Sequence, residues 1–449
     1  MDTPKSVQSS LVIGGEGFLG HNLVTSLLQA YPEASTTSLD LVQRHPTTEA
    51  RHTFIQADLT SLEALVVAFE SSKPDIVFHT ASPWLGSGKE ACERVNVLGT
   101  KNVVEACKRT GVTKLVYTSS AGVVYNGEDL INVDERLPVP ERALDDYNIT
   151  KARAEAIILE ANGKEELLTC ALRPAGIFGP GDRQAIPGII QVLKNGQHKL
   201  QIGPNQNLFD WTYVDNVVQA HILAGERLGE QVELEAFGTH PGPISLTNPR
   251  RQVPTSRSMS EDEDVELVEF SSSNASEPSP GGFMADDLLA GALDERLPAK
   301  RTKWDQWASV SSALNHPNGT VSVAGQAFFI TGGEPVFFWD FTRAVWIAYA
   351  TLHPELELGP GLASPPWVIP KFLGVLLAIL AQAWCSLVGK PPGFTPAKVH
   401  YACASRFYNI EKARVVLGYE PAVGLAEGIR RSVEWYVTNE TQDTKKQKQ

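Results

Sequence analysis

The sequence predicts an open, doubly wound α/β fold built on a parallel sheet, and three observations predict it. Short, β-branched apolar runs alternate with helical patterns through the first half of the chain; a glycine triplet, Gly14, Gly17 and Gly20, separates the first run from the first helical stretch; and an acidic residue, Asp40, closes the second run. Such alternation is the sequence sign of stacked βαβ units. Candidate strands lie at 11–13, 37–41, 53–57, 76–79, 114–119 and 168–173. Between them, helical stretches at 19–30, 62–70, 90–110 and 147–162 carry apolar residues every three or four positions, the spacing that gives a helix one buried face. These elements assign residues 1–240 to one domain.

From about residue 241 to 321 the composition changes. Pro, Ser, Asn, Asp and Glu dominate, including the acidic run SEDEDVE at 260–266 and the stretch SSSNASEPSPGG at 271–282. Such a segment buries too little apolar surface to offset chain entropy, so it is expected to be a disordered acidic insertion, with short helices near 286–297. Order is expected to resume with a strand pattern at 325–331 and a Trp-rich helical stretch at 337–352. The run FLGVLLAILAQAWCSLV at 372–388, bounded by Lys371 and Lys390, follows. A spanning helix needs about 20 apolar residues, so this run reads as one that crosses or dips into a membrane, with a buried core helix as the alternative. Residues 322–437 thus form a second, smaller region, and 438–449 a polar tail.

With 449 residues, 42% of them hydrophobic, the chain can bury one large core or two modest ones. A formal charge of −13 without clusters of Lys and Arg argues against a nucleic-acid partner. The five cysteines, at 92, 107, 170, 385 and 403, form no CxxC pair, so neither a disulfide framework nor a metal site is expected and a reducing compartment fits best. The first ten residues are polar and run straight into a strand pattern, which is unlike a secretory leader and predicts a cytosolic domain.

The chemistry-bearing residues fall at the ends of these elements. Glycines at 14, 17 and 20 in GGEGFLG permit a tight turn and let a helix N-terminus approach a pyrophosphate, whose charge the free N–H groups and the helix dipole stabilise. Asp40, twenty residues beyond Gly20, is placed to accept both ribose hydroxyls of a dinucleotide and to repel a 2′-phosphate; it favours NAD, while Arg44 nearby keeps NADP open. Asp58 reads equally as an adenine contact and as a cap for the next helix. Tyr147 and Lys151, four residues apart, share a helix face. A tyrosine with a pKa of about 10 is a poor base until a neighbouring ammonium stabilises its phenolate. In KLVYTSS an apolar strand ends in hydroxyls at the edge where open α/β sheets bind ligands, so Ser120 is expected to hold a substrate oxygen, with Ser119 less favoured and loop capping as the plain alternative.

GGEGFLG, Asp40, HTAS at 79–82, Asn96 in NVLGT, YTSSAGVVY and YNITK occur in the order seen in extended short-chain dehydrogenases/reductases, which this chain resembles. The stretches ALRPAGIFGPGD, DWTYVDNVVQAH and RFYNIEKARVVLGYEP look like the 3β-hydroxysteroid dehydrogenase branch; PVFFWDF and the apolar run point within it to the decarboxylating sterol-4α-carboxylate 3-dehydrogenases of fungi. The resemblance covers about residues 9–240 and 321–437. It implies a Rossmann-like sheet with a smaller C-terminal substrate-binding region and a membrane-associating helix. It implies phosphate contacts from Gly14, Gly17 and Gly20, a ribose contact from Asp40, nicotinamide-side contacts from Thr80, Ala81, Ser82 and Lys151, a pocket wall at Pro174, and a catalytic set of Ser120, Tyr147 and Lys151. One departure is Ile13, which stands where many members have Thr. The implied reaction is NAD-dependent oxidation of the 3β-hydroxyl of a 4α-carboxysterol to the ketone with loss of carbon dioxide. The implied setting is the cytosolic face of the endoplasmic reticulum membrane, beside other enzymes of sterol C4 demethylation. A 3β-hydroxysteroid or triterpenoid dehydrogenase of secondary metabolism, a nucleotide-sugar epimerase or dehydratase, and a catalytically silent NAD-binding scaffold stay open as alternatives.

Overall fold

Seven strands assemble one parallel sheet in the computed structural model, which describes residues 7–84, 86–135, 137–140, 145–233, 265–267, 300–302, 320–356, 367–389 and 394–447. They are β1 (Ser9–Ile13), β2 (Ser35–Asp40), β3 (His52–Gln56), β4 (Ile76–His79), β5 (Lys114–Thr118), β6 (Leu168–Pro174) and β7 (Ala327–Ile330). Their spatial order is β7-β6-β5-β4-β1-β2-β3. Side chains alternate between two cores: Leu11, Ile13, Leu115 and Tyr117 enter one, while Val12, Phe78, Val116 and Leu172 enter the other. Strands buried on both faces are apolar at consecutive positions, which is why the first half of the sequence reads as short unbroken runs.

Helices cover both faces. On one side lie α2 (Leu62–Ser72), α3 (Thr100–Thr110) and α4 (Asp146–Ala161); on the other lie α1 (Phe18–Ala30), α5 (Ala185–Lys194) and α6 (Val214–Arg227). Their starts are set by local chemistry. The Ser61 hydroxyl accepts from Ala64 N at 3.4 Å ahead of α2, and the Asp145 carboxylate accepts from Asn148 N at 2.8 Å ahead of α4. Helix α3 is entered through a π-helical turn, Glu93–Gly99, where Asn96 is buried.

The strand expected at 325–331 forms β7 and pairs in parallel with β6, Phe328 opposite Leu172. Ahead of it, Thr320–Ser322 pairs antiparallel with Gln231–Glu233, so the chain departs and returns side by side. Nearly all of the segment expected to be an insertion, with the helix expected near 286–297, lies outside the described residues; the short strands Val265–Leu267 and Lys300–Thr302 within it pair with each other.

The C-terminal region packs on aromatic rings. A second sheet joins Val336–Phe337, Leu208–Phe209, Arg406–Tyr408 and Leu130–Val133. Trp211 stacks on Phe341 of α7 (Phe338–Leu352) at 4.1 Å, and Phe178 meets the same ring edge-on at 5.1 Å. The apolar run forms α8 (Lys371–Val388), which is not a core helix: only Gly374 and Ala378 are buried. These small residues let α8 lie close on Ile202, whose Cγ2 would stand 2.8 Å from a Cβ at Gly374. Phe372, Leu380, Trp384 and Leu387 are exposed, and Trp367 in the preceding strand is 80% exposed. Two further helices, α9 (Pro396–Cys403) and α10 (Leu425–Gln447), complete the chain, α10 carrying helix through most of the expected tail. All five cysteines are free.

Candidate active site

The spatial order turns about β1, with β2 on one side and β4 on the other, and ligands of open α/β sheets bind at such a point. Here the backbone after β1 is very close to the loop after β4. Gly14 N donates to Leu39 O at 2.8 Å, and Thr80 donates to Ile13 O through both its N–H and its hydroxyl at 2.9 Å. Gly14 has φ of +80°, and a Cβ there would lie 2.7 Å from Ala81 Cα; a Cβ on Gly20 would lie 2.1 Å from Gly14 O. Only hydrogen fits at these positions, and the result is a concave backbone cradle at the N-terminus of α1.

Asp40 stands at the end of β2, its carboxylate accepting from Leu41 N at 2.7 Å and Glu16 N at 3.2 Å, with Arg44 Nη1 at 3.9 Å. Glu16, which the sequence reading passed over, anchors the loop beyond it by accepting from Arg44 N and His45 N, each at 2.7 Å, and from the Ser38 hydroxyl at 2.9 Å. Burial opposes its ionisation, but these donors prevail and lower its pKa. The Asp58 carboxylate is engaged by Thr60, through N at 2.9 Å and Oγ1 at 2.8 Å, while the cap of α2 is Ser61.

Ser119 and Ser120 face different partners. The Ser119 hydroxyl donates to the Glu155 carboxylate at 2.6 Å and is buried. The Ser120 hydroxyl accepts from Gly122 N at 3.1 Å, which leaves its proton available to another acceptor. So Ser120 does cap its loop, and the capping is compatible with holding a substrate oxygen. Asn96, from the π-helical turn, donates to Thr150 Oγ1 at 3.0 Å and accepts from Ser82 Oγ at 3.1 Å. Ser82 in turn contacts the phenol of Tyr147. Burial raises the Tyr147 pKa, and Ser82 only partly offsets it.

Lys151 is almost completely buried. Its ammonium donates to Thr118 O at 2.5 Å and lies 4.5 Å from the centre of the Tyr117 ring. Burial pulls its pKa down to about 7, against the opposing field of Glu155. The sequence reading has this ammonium stabilising the Tyr147 phenolate directly; in the structure the Thr118 carbonyl holds it, and burial dominates the phenol. Two histidines lie near enough to feel its charge; the sequence motifs contain both but assign them no role. His221 Nδ1 is 2.7 Å from Val217 O and Nε2 2.7 Å from Thr118 Oγ1, so with Nδ1 protonated Nε2 accepts the threonine proton. His79 Nε2 sits 3.0 Å from Thr100 Oγ1. Burial drives His79 to about 3 and His221 to about 4, and Lys151 adds to both shifts. Behind Ser119 lies a buried ion pair, Arg173 Nη2 to Glu155 Oε1 at 2.5 Å, with Glu135 and Lys412 close by. Pro174 ends β6 on the same edge of the sheet. Among the described residues no cluster of His, Cys, Asp and Glu has the makings of a metal site.

The sequence profile of the 3-beta hydroxysteroid dehydrogenase/isomerase family matches residues 11–241. The chain belongs to that family. It is 36% identical over 435 residues to the decarboxylating sterol-4-alpha-carboxylate 3-dehydrogenase of Schizosaccharomyces pombe, covering 96% of this chain and 98% of that one. It is 35% identical to the enzyme of the same name from Saccharomyces cerevisiae, with the same coverage, and 30% identical to that of Mus musculus, covering 94% and 89%. Among solved structures it resembles an epimerase from Methanothermobacter thermautotrophicus, 20% identical with a TM-score of 0.58 over 98% of this chain and 94% of that one. It also resembles the UDP-glucose 4-epimerase of Thermus thermophilus in complex with NAD, 19% identical with a TM-score of 0.55 over 96% and 99%. At that identity the structures share the fold. The Rossmann-like short-chain dehydrogenase architecture read from the sequence is therefore the one the chain adopts.

Both buried histidines stay neutral in the fold at pH values where the unfolded chain protonates them. Their contribution is complete above an ordinary histidine pKa of about 6.5 and falls as pH drops from there toward 4, at roughly 1.4 kcal/mol per pH unit per histidine. Denaturant unfolding of the wild type between pH 6 and 5 is expected to show this slope, and His221→Gln to reduce it by one histidine's share. Identical slopes for the two proteins would show that His221 is not held neutral.

Proposed function

We propose that this enzyme oxidises the 3β-hydroxyl of a 4α-carboxysterol to the 3-ketone with NAD, the C4 carboxylate leaving as carbon dioxide. One observation carries the reading: the glycine cradle, Asp40, Ser120, Tyr147 and Lys151 all lie at the carboxyl edge of a single sheet, in a chain related over almost its whole length to decarboxylating sterol-4-alpha-carboxylate 3-dehydrogenases.

The cradle fits a dinucleotide, because no Cβ fits at Gly14 or Gly20 and Asp40 offers a carboxylate where a ribose would lie. Gly14, Gly17 and Gly20 would face the pyrophosphate, Thr80, Ala81 and Ser82 the nicotinamide side, and Pro174 the pocket wall. Nicotinamide, when bound, supplies the acceptor for the hydride of C3. The chain supplies the rest. Ser120 donates to the alcohol oxygen, Tyr147 takes the alcohol proton, and Lys151 keeps two of its three ammonium donors for the phenol side and a ribose hydroxyl. A carboxylate beside the new ketone is a β-keto acid; carbon dioxide leaves it through an enolate, whose oxygen Ser120 and Tyr147 already hold.

The exposed face of α8 fits a lipid surface as the source of a water-insoluble sterol. We place the enzyme on the cytosolic face of the endoplasmic reticulum, beside other enzymes of sterol C4 demethylation. Replacing Leu380 and Trp384 by Glu is expected to release the protein from phospholipid vesicles while changing its folding stability by less than about 1 kcal/mol, since both are exposed. Unchanged co-sedimentation would remove α8 as the anchor.

Purified protein given NAD and a 4α-carboxysterol is expected to yield NADH and carbon dioxide in equal amounts. Tyr147→Phe should lower kcat by about 10²- to 10⁴-fold with NAD affinity retained, and an active variant would dismiss Tyr147 as the base. Asp40→Ala should weaken NAD more than NADP; equal loss of both speaks against the ribose contact.

A further inference from the structure

A buried cation beyond the catalytic set has no ion-pair partner among the described residues. Arg406 opens the strand Arg406–Tyr408, fixed by ladder pairing to Phe209 on one side and Leu130 on the other. Its side chain is 93% shielded, and its guanidinium carbon lies 3.7 Å from the ring centre of Tyr401, 4.6 Å from that of Tyr125 and 4.7 Å from that of Phe209. Ring faces stabilise a cation but offer no acceptors in the guanidinium plane. Among the described residues no carboxylate comes within 4 Å of Arg406, and its Nε is without a hydrogen-bond partner. Two acids of its neighbourhood bond the backbone on either side of it: Asp129 accepts from Ser405 N at 2.9 Å, and Asp210 from Tyr408 N at 2.8 Å.

The surroundings repeat the same imbalance. The Tyr125 hydroxyl and the Trp211 indole N–H, both buried and bordering the same ring cluster, also lack partners. Arg406 Nε, the Tyr125 hydroxyl and the Trp211 N–H thus lack an acceptor among the described residues, and buried donors of this kind call for one. Their complement is an acceptor-only, planar, anionic group, which a carboxylate is and a hydroxyl or a sugar is not.

The patch is tied to the catalytic residues at both ends. Tyr125 closes the turn Ala121–Val124 that begins at Ser120, and that turn packs on the start of α4, where a Cβ on Gly122 would meet Asn148 Oδ1 at 2.2 Å. Tyr401, against Arg406, stands near enough to Tyr147 to bear on its ionisation. We infer that Arg406, walled by Tyr125, Phe209 and Tyr401, is the binding residue for the carboxylate of the substrate, setting which alcohol carbon lies under Tyr147.

This rests on the proposed substrate class, and it adds an account of turnover. The carboxylate leaves as carbon dioxide and a proton takes its place on C4, so the ketone has no anion for Arg406. Substrate is held by the ion pair and product is not, which favours exchange at a site that both otherwise fit.

The test is equilibrium binding, in the presence of NAD, of a 4α-carboxysterol and of the same sterol without the carboxyl group. Wild type is expected to prefer the acid; Arg406→Gln to weaken the acid by about 10- to 100-fold while leaving the neutral sterol within about twofold; and Arg406→Lys to fall between them. Equal loss of both ligands would make Arg406 a structural pillar, and no preference in the wild type would end the inference. Turnover is read separately: acid binding that depends on Arg406 without NADH formation leaves the carboxylate site standing and overturns the reaction proposed above.

Discussion

The hydrogen bond from the Lys151 ammonium to the Thr118 carbonyl joins the catalytic helix to the centre of the sheet. It places a cation in an interior where burial resists charge, and the neighbourhood is arranged around that fact. Glu155, one turn along α4, opposes the loss of its proton; the ring of Tyr117 takes its other side; His79 and His221 remain uncharged beside it. Thr118 is bound through both its ends, the carbonyl to Lys151 and the hydroxyl to His221, so one residue at the end of β5 links helices on opposite faces. Ser119 and Ser120 follow in the next two positions and turn to different partners. One hydroxyl turns into the buried Glu155–Arg173 pair and the other accepts from the backbone of its own turn.

The glycine turn acts on the same edge by a different constraint, excluded volume. A Cβ at Gly14 or Gly20 would collide with backbone, not with a movable side chain, so relaxation offers no escape. Cradle and catalytic helix are therefore both fixed relative to β1, β4 and β5. A nucleotide in the first and an alcohol at the second would meet at a distance the sheet decides.

Much of this was legible in the residues. Runs such as Leu11–Ile13 and Ile76–Phe78 are apolar at consecutive positions because both faces are covered, and that pattern announces a central parallel strand. Gly14, Asp40, Ser120 and Tyr147 fall at element ends and Lys151 one turn further into α4, positions that spacing indicates. What spacing does not carry is pairing across long separations. Nothing near Glu155 indicates Arg173, nothing near Thr118 indicates His221, and the place of β7 beside β6 depends on a ladder between residues about 150 positions apart. The run of α8 reads first as membrane-seeking and second as a core helix, and its exposure removes the second reading. Arg406 escaped notice because a single arginine in a strand looks like a solvated edge until three rings from distant segments close around it.

The antiparallel pairing of Gln231–Glu233 with Thr320–Ser322 has a consequence for how this chain can vary. The two ends of the intervening stretch are clasped side by side just ahead of β7, so its length is decoupled from the pairing of β7 with β6. Doubling the number of residues between two fixed ends costs only about 0.6 kcal/mol in closure entropy, an amount a folded domain can absorb. Residues added to or removed from that stretch thus leave the strand that follows where it is.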